Sequence, residues 1–310
     1  NVGQTVSLRI GLNIIQVIAR LPDVRTSEGM CYVTVERRPP LDRVAAAAAK
    51  PTLHWCSIGV NNYEGTSLAS LQHAKNDVEK VAEALAKRKN STRFPYQDIK
   101  FHRLVDEQAS KVGIGGLFDA LINPNSTNKV KTGDTVGIHI SAHGGIVAGT
   151  DGYMLVPHGG DPQKPRATCV LWSEFVELAN SLGKQNVRLL FFVDTCRAGG
   201  LGTIDSGAAK ILSSELSGVI FSASGAKQSA LEYSTWEHGA FSLALREALE
   251  GRPLVNVAWP NGLRPDDDQD GLLDVRELES FVYKRVRALT MDQQAPEHAR
   301  PRMGLEPSLF

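Results

Sequence analysis

From Pro51 onward the chain alternates between short, nearly continuous apolar runs and longer stretches whose apolar residues recur three and four apart. Val187 to Val193 (VRLLFFV) is the clearest run of the first kind. It is branched, aromatic and too short to stand as a helix, which predicts a buried strand covered on both faces. Leu53 to Val60 (LHWCSIGV), Ile99 to Leu104, Asp134 to Ser141 (DTVGIHIS) and Val219 to Ala223 read as further strands, and Asp151 to Val156 (DGYMLV) as a small hairpin. Helical spacing predicts a helix over Leu71 to Arg88, where Leu71, Ala74, Val78, Val81, Ala82 and Leu85 share a face. Others are expected over Ser110 to Ile122, weakened by three glycines, over Trp172 to Leu182 with Ser173 or a neighbour as its cap, over Gly239 to Leu249 and over Val275 to Leu289. Strands alternating with helices predict an α/β fold: a mainly parallel central sheet, helices on its faces and right-handed crossovers.

Residues 1–38 have a different rhythm, with strands at VSLRI, at Asn13 to Arg20 (NIIQVIAR) and at Met30 to Glu36 (MCYVTVE), the last two joined by a turn through Thr26 to Gly29. This segment resembles the closing hairpin of an immunoglobulin-like sandwich. A lone hairpin is marginal in water, so it either docks on the main domain or completes a sandwich whose earlier strands are absent. Residues 39–50 are a proline- and alanine-rich linker, which leaves 51–310 as the main domain. At 310 residues, 42% hydrophobic, 22% charged and net charge zero, the chain has neither the basic surface of a nucleic-acid binder nor a charge bias toward membranes. No apolar run approaches the roughly 18 residues that span a bilayer. The four cysteines have no paired spacing, which suits a reducing, cytoplasmic compartment. A start at Asn1 without a signal-peptide pattern suggests that the native N-terminus is missing.

Two of the expected strands end in reactive groups. Ala142, His143, Gly144 and Gly145 follow the third, and Asp194, Thr195 and Cys196 close the fourth, where Gly199 and Gly200 let the backbone turn away. The chain between His143 and Cys196 is long enough for a crossover helix, which would make the two strands neighbours about 5 Å apart. A thiol is mostly protonated at neutral pH until a base shifts it, and an imidazole on the next strand is such a base. Gly144 leaves an uncovered backbone amide, so the amides of Gly144 and Cys196 are candidate donors to an oxyanion. No third member of a catalytic triad is apparent.

SIGVNNY, QHAKNDVEKVAEAL, SAHGG around His143, VDTCRAGG around Cys196, SASGAKQSALE and HGAFSLALREALEG together resemble the caspase-like cysteine peptidases, in their metacaspase-like and bacterial branch. The resemblance runs from about Pro51 to at least Gly251 and implies a three-layer caspase-like fold, a Cys-His dyad and protein or peptide substrates. It also implies a role in regulated proteolysis, cell death or defence, with an activating protein partner. The animal signature around the cysteine is only partly met, because Asp194, Thr195 and Ala198 replace its flanks. Residues two apart on a strand share a side, so Asp194 faces the pocket with Cys196. By similarity, Asp77 and Asp194 line the primary specificity pocket, with Ser141 beside them and Glu232 as a further substrate-binding residue. Two carboxylates favour a guanidinium or an ammonium, so cleavage is expected after Arg, then Lys. The competing readings are an anionic pocket built by Arg197, and an Asp77 that simply caps or solvates its helix. Lys210 and Arg43 are candidate self-processing positions, although the short stretch between Cys196 and Val219 favours a single-chain enzyme.

Asp266 to Glu277 (DDDQDGLLDVRE) has the spacing of an EF-hand calcium loop: Asp266, Asp268, Asp270, the carbonyl of Leu272, Asp274 and Glu277 as ligands, with Gly271 at the sharp turn. The alternative is an acidic turn capping the next helix. The resemblance favours a structural loop over a switch. Two rivals to a peptidase remain: a catalytically silent caspase-like scaffold, and a calcium-responsive interaction module built on the N-terminal β segment. His139, four before His143, would lie ~13 Å from it along a strand, too far for a shared metal. Cys31, Cys56 and Cys169 read as small core residues.

Overall fold

The computed structural model describes residues 11–20, 28–37, 50–147, 152–197, 218–223, 230–299 and 309–310. The VSLRI strand, most of the linker with Arg43, the glycine pair at 199–200 and Lys210 lie outside the described residues. The chain divides into two units, residues 1–49 and 50–310. In the first, β1 (Gly11–Arg20) and β2 (Glu28–Arg37) pair antiparallel, with Gly11 opposite Arg37 and Arg20 opposite Glu28.

The second unit is built on a mainly parallel sheet. Its strands are β3 (Thr52–Gly59), β4 (Asp98–Val105), β5 (Thr135–Ile146), β6 (Tyr153–Val156), β7 (Val170–Leu171), β8 (Arg188–Arg197) and β9 (Gly218–Ser222). Two further pieces, β10 (Glu232–Tyr233) and β11 (His238–Gly239), form a small antiparallel pair, and β12 (Glu297–Ala299) ends the series. The main path runs β12-β9-β8-β5-β3-β4, with β12 antiparallel at one edge and the others parallel. Its helices are α1 (Ala74–Arg88), α2 (Lys111–Ile122), α3 (Pro165–Thr168), α4 (Trp172–Gly183), α5 (Ala240–Glu250) and α6 (Val275–Leu289).

Two expectations change and a third is narrowed. β5 and β8 do not stop where their apolar runs stop: β5 continues through His143, Gly144 and Gly145, and β8 through Asp194, Thr195, Cys196 and Arg197. The extension is held because β6 folds back antiparallel on the end of β5, setting Val156 opposite His143 and Tyr153 opposite Ile146. Residues 153–156 are therefore the returning strand of a hairpin with β5 and not a hairpin of their own. The cap of α4, expected at Ser173 or a neighbour, is the neighbour Glu174, whose carboxylate accepts the Leu171 N–H at 2.9 Å.

Alternation along the strands sorts the interior into two layers. Leu189, Phe191 and Val193 of β8 join Val136, Ile138 and Ile140 of β5 against Phe118 of α2 and Phe175 of α4. Leu190 and Phe192 point the other way and join Leu53 and Trp55 of β3, Val81 and Leu85 of α1, Phe241 and Leu245 of α5, and Phe281 of α6. Phe310, fully buried, completes this second layer against Trp55 (ring centroids 5.9 Å apart) and Phe192 (6.4 Å). Its backbone bridges Leu273: the Leu273 N–H donates to the Phe310 carbonyl at 2.7 Å, and the Leu309 N–H donates back at 2.6 Å.

One ion pair lies inside this layer. Arg285 and Glu247 are both inaccessible to solvent and pair bidentately, Nε to Oε2 at 2.6 Å and Nη2 to Oε1 at 2.9 Å. The guanidinium also donates to the Val257 and Ala258 carbonyls, while the carboxylate accepts from the Leu254 N–H and the Trp259 indole. Every polar atom of the pair has a partner, so α5, α6 and the segment between them are tied by one satisfied network. Removing one partner leaves a buried charge alone. Glu247→Ala is expected to cost about 3–5 kcal/mol in urea denaturation; a loss below about 1 kcal/mol, the scale of an exposed pair, would contradict this account.

Candidate active site

The parallel pairing of β5 with β8 places Ser141 opposite Asp194, His143 opposite Cys196 and Gly144 opposite Arg197. Register partners in neighbouring parallel strands are about 5 Å apart through the backbone, so the imidazole-bearing and thiol-bearing residues are direct neighbours.

His143 is held on several sides. Its backbone N–H donates to the Tyr63 hydroxyl at 2.9 Å, that hydroxyl donates to the Val156 carbonyl at 2.9 Å, and the two rings sit 4.7 Å apart. Its Nε2 lies 2.7 Å from the carbonyl of Ala69. A carbonyl only accepts, so the ring proton sits on Nε2 and Nδ1 presents its lone pair. Nδ1 is buried and has no hydrogen-bond partner among the described residues. Burial lowers the pKa of His143, against the opposing pull of the Ala69 carbonyl and Glu232. At neutral pH the ring is therefore an uncharged base with a bare nitrogen.

Gly144 has a steric reason to lack a side chain. A Cβ there would fall 2.0 Å from the Tyr153 hydroxyl, which donates to Thr195 Oγ1 at 2.7 Å. The space expected to be open beside His143 is thus filled by tyrosine on the side where a Cβ would project.

The acids converge behind this pair. Asp77, 1% exposed on α1, accepts from His238 Nδ1 at 2.8 Å and the Gly239 N–H at 3.1 Å through Oδ1, and from the Ser141 hydroxyl at 3.1 Å through Oδ2. Asp77 is therefore neither a helix cap nor a solvated surface acid. Asp194, 5% exposed, accepts from the Ser242 hydroxyl at 2.6 Å and the Ser242 N–H at 3.2 Å. Both carboxylates abut Gly239: a Cβ there would meet Asp194 Oδ2 at 3.0 Å and Asp77 Oδ2 at 3.3 Å. Glu232 is the register partner of Gly239, half-buried at the rim, with its Oε2 3.4 Å from the Gln72 N–H. Burial, then the neighbouring Asp77, pushes the Asp194 pKa up to about 8, and burial raises that of Asp77 as well. Two adjacent buried carboxylates do not both ionise readily. Three donors point at Asp77 and two at Asp194, and burial pushes both acids toward the neutral form, so the pair retains a proton.

The loop at 266–277 keeps only part of its expected ligand set together. Carboxylate oxygens of Asp266, Asp268 and Asp270 lie within 4.8 Å of one another. Asp274 and Glu277 do not join them, because they cap α6 reciprocally: Asp274 Oδ1 accepts the Glu277 N–H at 2.9 Å, and Glu277 Oε2 accepts the Asp274 N–H at 3.0 Å. Glu277 Oε1 takes the N–H groups of Asp267 and Asp268. Leu272 donates its N–H to Asp270 Oδ1 at 2.8 Å.

Sequence reasoning missed Tyr63, Ala69, His238, Gly239 and Ser242. Ala69 contributes a backbone atom, to which no side-chain pattern points. The polar pair His238 and Ser242, flanking the apolar start of α5, was the available signal.

No protein-family model matches the sequence, and no curated protein matches it. Among solved structures, protein GSU0716 from Geobacter sulfurreducens is similar at TM-score 0.52 and 16% identity, over 82% of this chain and 95% of that one. Caspase-1 from Spodoptera frugiperda gives TM-score 0.45 and 15% identity over 85% and 95%, and a structure described as pro-sf-caspase-1 gives 0.45 and 13% over 86% and 97%. At such identities a likeness concerns the fold alone.

The raised pKa of Asp194 sets a pH dependence. Between its ordinary value of 3.8 and about 8 the folded chain keeps a proton that the unfolded chain has lost. The stability this contributes is full below the ordinary value and is lost as pH rises toward 8. Asp194→Asn cannot ionise. In thermal melts its advantage over wild type should be near zero at about pH 4 and grow to several degrees by about pH 8; a pH-independent difference would contradict a buried, protonated Asp194.

Proposed function

We propose that the chain is a cysteine endopeptidase that cleaves after basic residues, Arg before Lys. The observation that carries this reading is the pairing of His143 with Cys196 in register, with Nε2 of His143 committed to Ala69 and Nδ1 without a partner among the described residues. His143 Nδ1 withdraws the Cys196 proton, and the thiolate forms a bond to the carbonyl carbon of the scissile peptide. The resulting oxyanion accepts from the backbone amides of Gly144 and Cys196. As the C–N bond breaks, the proton on Nδ1 passes to the leaving amine; water then displaces the acyl group from sulfur, giving up its proton by the same route. The Ala69 carbonyl takes the place of a third triad member by holding the tautomer.

The specificity half of the proposal rests on Asp77 and Asp194. A guanidinium entering beside them satisfies two acceptors at once and relieves their mutual repulsion. Glu232 adds negative potential at the rim, and Ser141 keeps Asp77 turned inward. For calcium, Asp266, Asp268 and Asp270 form a hard-oxygen cluster suited to the ion and would hold it, and the ion would supply charge neutralisation that stiffens the loop ahead of α6. No helix among the described residues is long and apolar enough to cross a membrane.

Fluorogenic peptides ended by Arg, Lys or Asp test the reading directly. Arg-ended substrate should turn over fastest, Lys-ended next and Asp-ended barely, and Cys196→Ala should remove all three activities. Faster cleavage of the Asp-ended peptide would overturn the pocket assignment. An inert wild type whose Cys196 resists an acylating probe would favour the silent scaffold. Separately, calcium should raise the melting temperature of the wild type and not of Asp268→Asn.

A further inference from the structure

His238 is 2% exposed, lies on β11 and takes no part in the chemistry described above. Both of its ring nitrogens are committed. Nε2 lies 3.0 Å from Arg246 Nη1, and Nδ1 lies 2.8 Å from Asp77 Oδ1. A guanidinium can only donate, so Nε2 carries no proton and Nδ1 must carry it, pointed at the carboxylate. Arg246 is itself anchored, with its Nε 3.1 Å from Glu250 Oε1. The chain of donors therefore runs one way, from α5 through β11 to α1. Burial, then the positive charge of Arg246, lowers the His238 pKa to about 4, so the ring stays neutral through the neutral range.

The two acids receive unequal support. Asp77 accepts from His238, Gly239 and Ser141 and donates to none of them. Among the described residues Asp194 accepts from Ser242 alone, through its N–H and its hydroxyl, whose proton is spent on it. His139 Nε2, 3.1 Å from the same hydroxyl, must then donate to Ser242 and not to the acid. The other charged or titratable groups that act on this cluster are Glu232 on β10, Glu237 in the turn before β11 and Lys80 on α1. Among all of these, the Arg246–His238 chain is the arrangement that distinguishes one carboxylate from the other.

We propose that His238, with its tautomer fixed by Arg246, is a positioning residue that aims Asp77, so that a cationic side chain binds by expelling the proton held by the pair Asp77 and Asp194. The proposal rests on the peptidase reading, and it deepens that reading by making recognition proton-linked. Balance is simple: the pocket carries one negative charge and one proton when empty, and two negative charges against one cation when filled, the proton passing to solvent.

Three measurements on the whole chain test this. First, KM for the Arg-ended peptide in wild type should fall as pH rises from 6 toward about 8 and level off above it. Second, His238→Ala should raise KM at least roughly tenfold, the factor equivalent to one hydrogen bond to a charged group, with the effect falling on KM rather than on kcat. His238→Asn, which keeps an N–H near the Nδ1 position, should recover most of it, and Arg246→Met should give a smaller rise should His238→Ala fail to fold. Third, calorimetry of benzamidine binding in two buffers of different ionisation heat should report proton release below pH 8.

A flat KM profile, an equal loss in the Ala and Asn variants, or benzamidine binding without proton release would overturn the proposal. Should wild type not turn over the Arg-ended peptide at all, the peptidase reading fails on its own. The benzamidine experiment then still decides the pocket: release supports the role given to His238 and Asp77, and none overturns it.

Discussion

Ser141 faces Asp194 and His143 faces Cys196 because β5 and β8 run parallel in one unbroken register from Thr135 against Arg188 to Gly144 against Arg197. Side chains alternate with a period of two, so a slip of one residue would send every reactive group on one strand to the opposite face. The apolar half of each strand prevents that slip: Ile138, Ile140, Phe191 and Val193 are locked into one layer, Leu190 and Phe192 into the other. The reactive ends inherit their geometry from these buried residues. The alignment of His143 with Cys196 is a property of core packing carried a few residues further along the same strands.

Placing Asp77 and Asp194 together in that interior is unfavourable in isolation, and the surroundings are arranged to tolerate it. Serine hydroxyls and backbone N–H groups supply most of the donors, and Gly239 lets the β11 backbone pass within contact distance of both acids. A larger residue there would have to displace one carboxylate. The same interior carries Glu247 and Arg285, and the contrast is instructive: that pair is complete within the chain, whereas the pair of acids is left with negative charge in excess. Buried charge that is fully matched serves structure, and buried charge left unmatched suits a ligand.

Strands β3, β4, β5, β8 and β9 and helices α1, α2, α4, α5 and α6 were legible because their apolar periodicity is clean, down to the bounds of α6; the short elements β7, β10, β11, β12 and α3 carry no such period. The extents of β5 and β8 were not. HGG reads as a turn in sequence, and pairing with β8 on one side and the antiparallel return of β6 on the other turn it into strand. His143 and Cys196 were candidates in the sequence, and the structure adds what holds the first of them: a carbonyl at Ala69 and a hydroxyl at Tyr63, brought in from the segment after β3. The buried ion pair had a readable trace. Glu247 and Arg285 each interrupt the apolar stripe of a helix, with Leu243 and Ala244 before the first and Phe281 and Val282 before the second. Opposite charges on two facing stripes announce a partner across the interface. The ligand spacing of 266–277 was equally readable, yet Asp274 and Glu277 satisfy orphan N–H groups of α6, a competing use of the same residue types.

Phe310 has a consequence for the order in which the molecule is made. It fills the layer between Trp55 and Phe192 and is fastened by Leu309 and Leu273, so a chain emerging from the ribosome reaches β3, β5 and β8 long before it can close the space between them. Until residues 309 and 310 arrive, that face of the sheet has a vacancy the size of a phenyl ring, a defect that in a finished protein costs about 3–5 kcal/mol. Residues far apart in sequence thus become interdependent in time: the strands that carry His143 and Cys196 are synthesised early and gain the full rigidity of their support late.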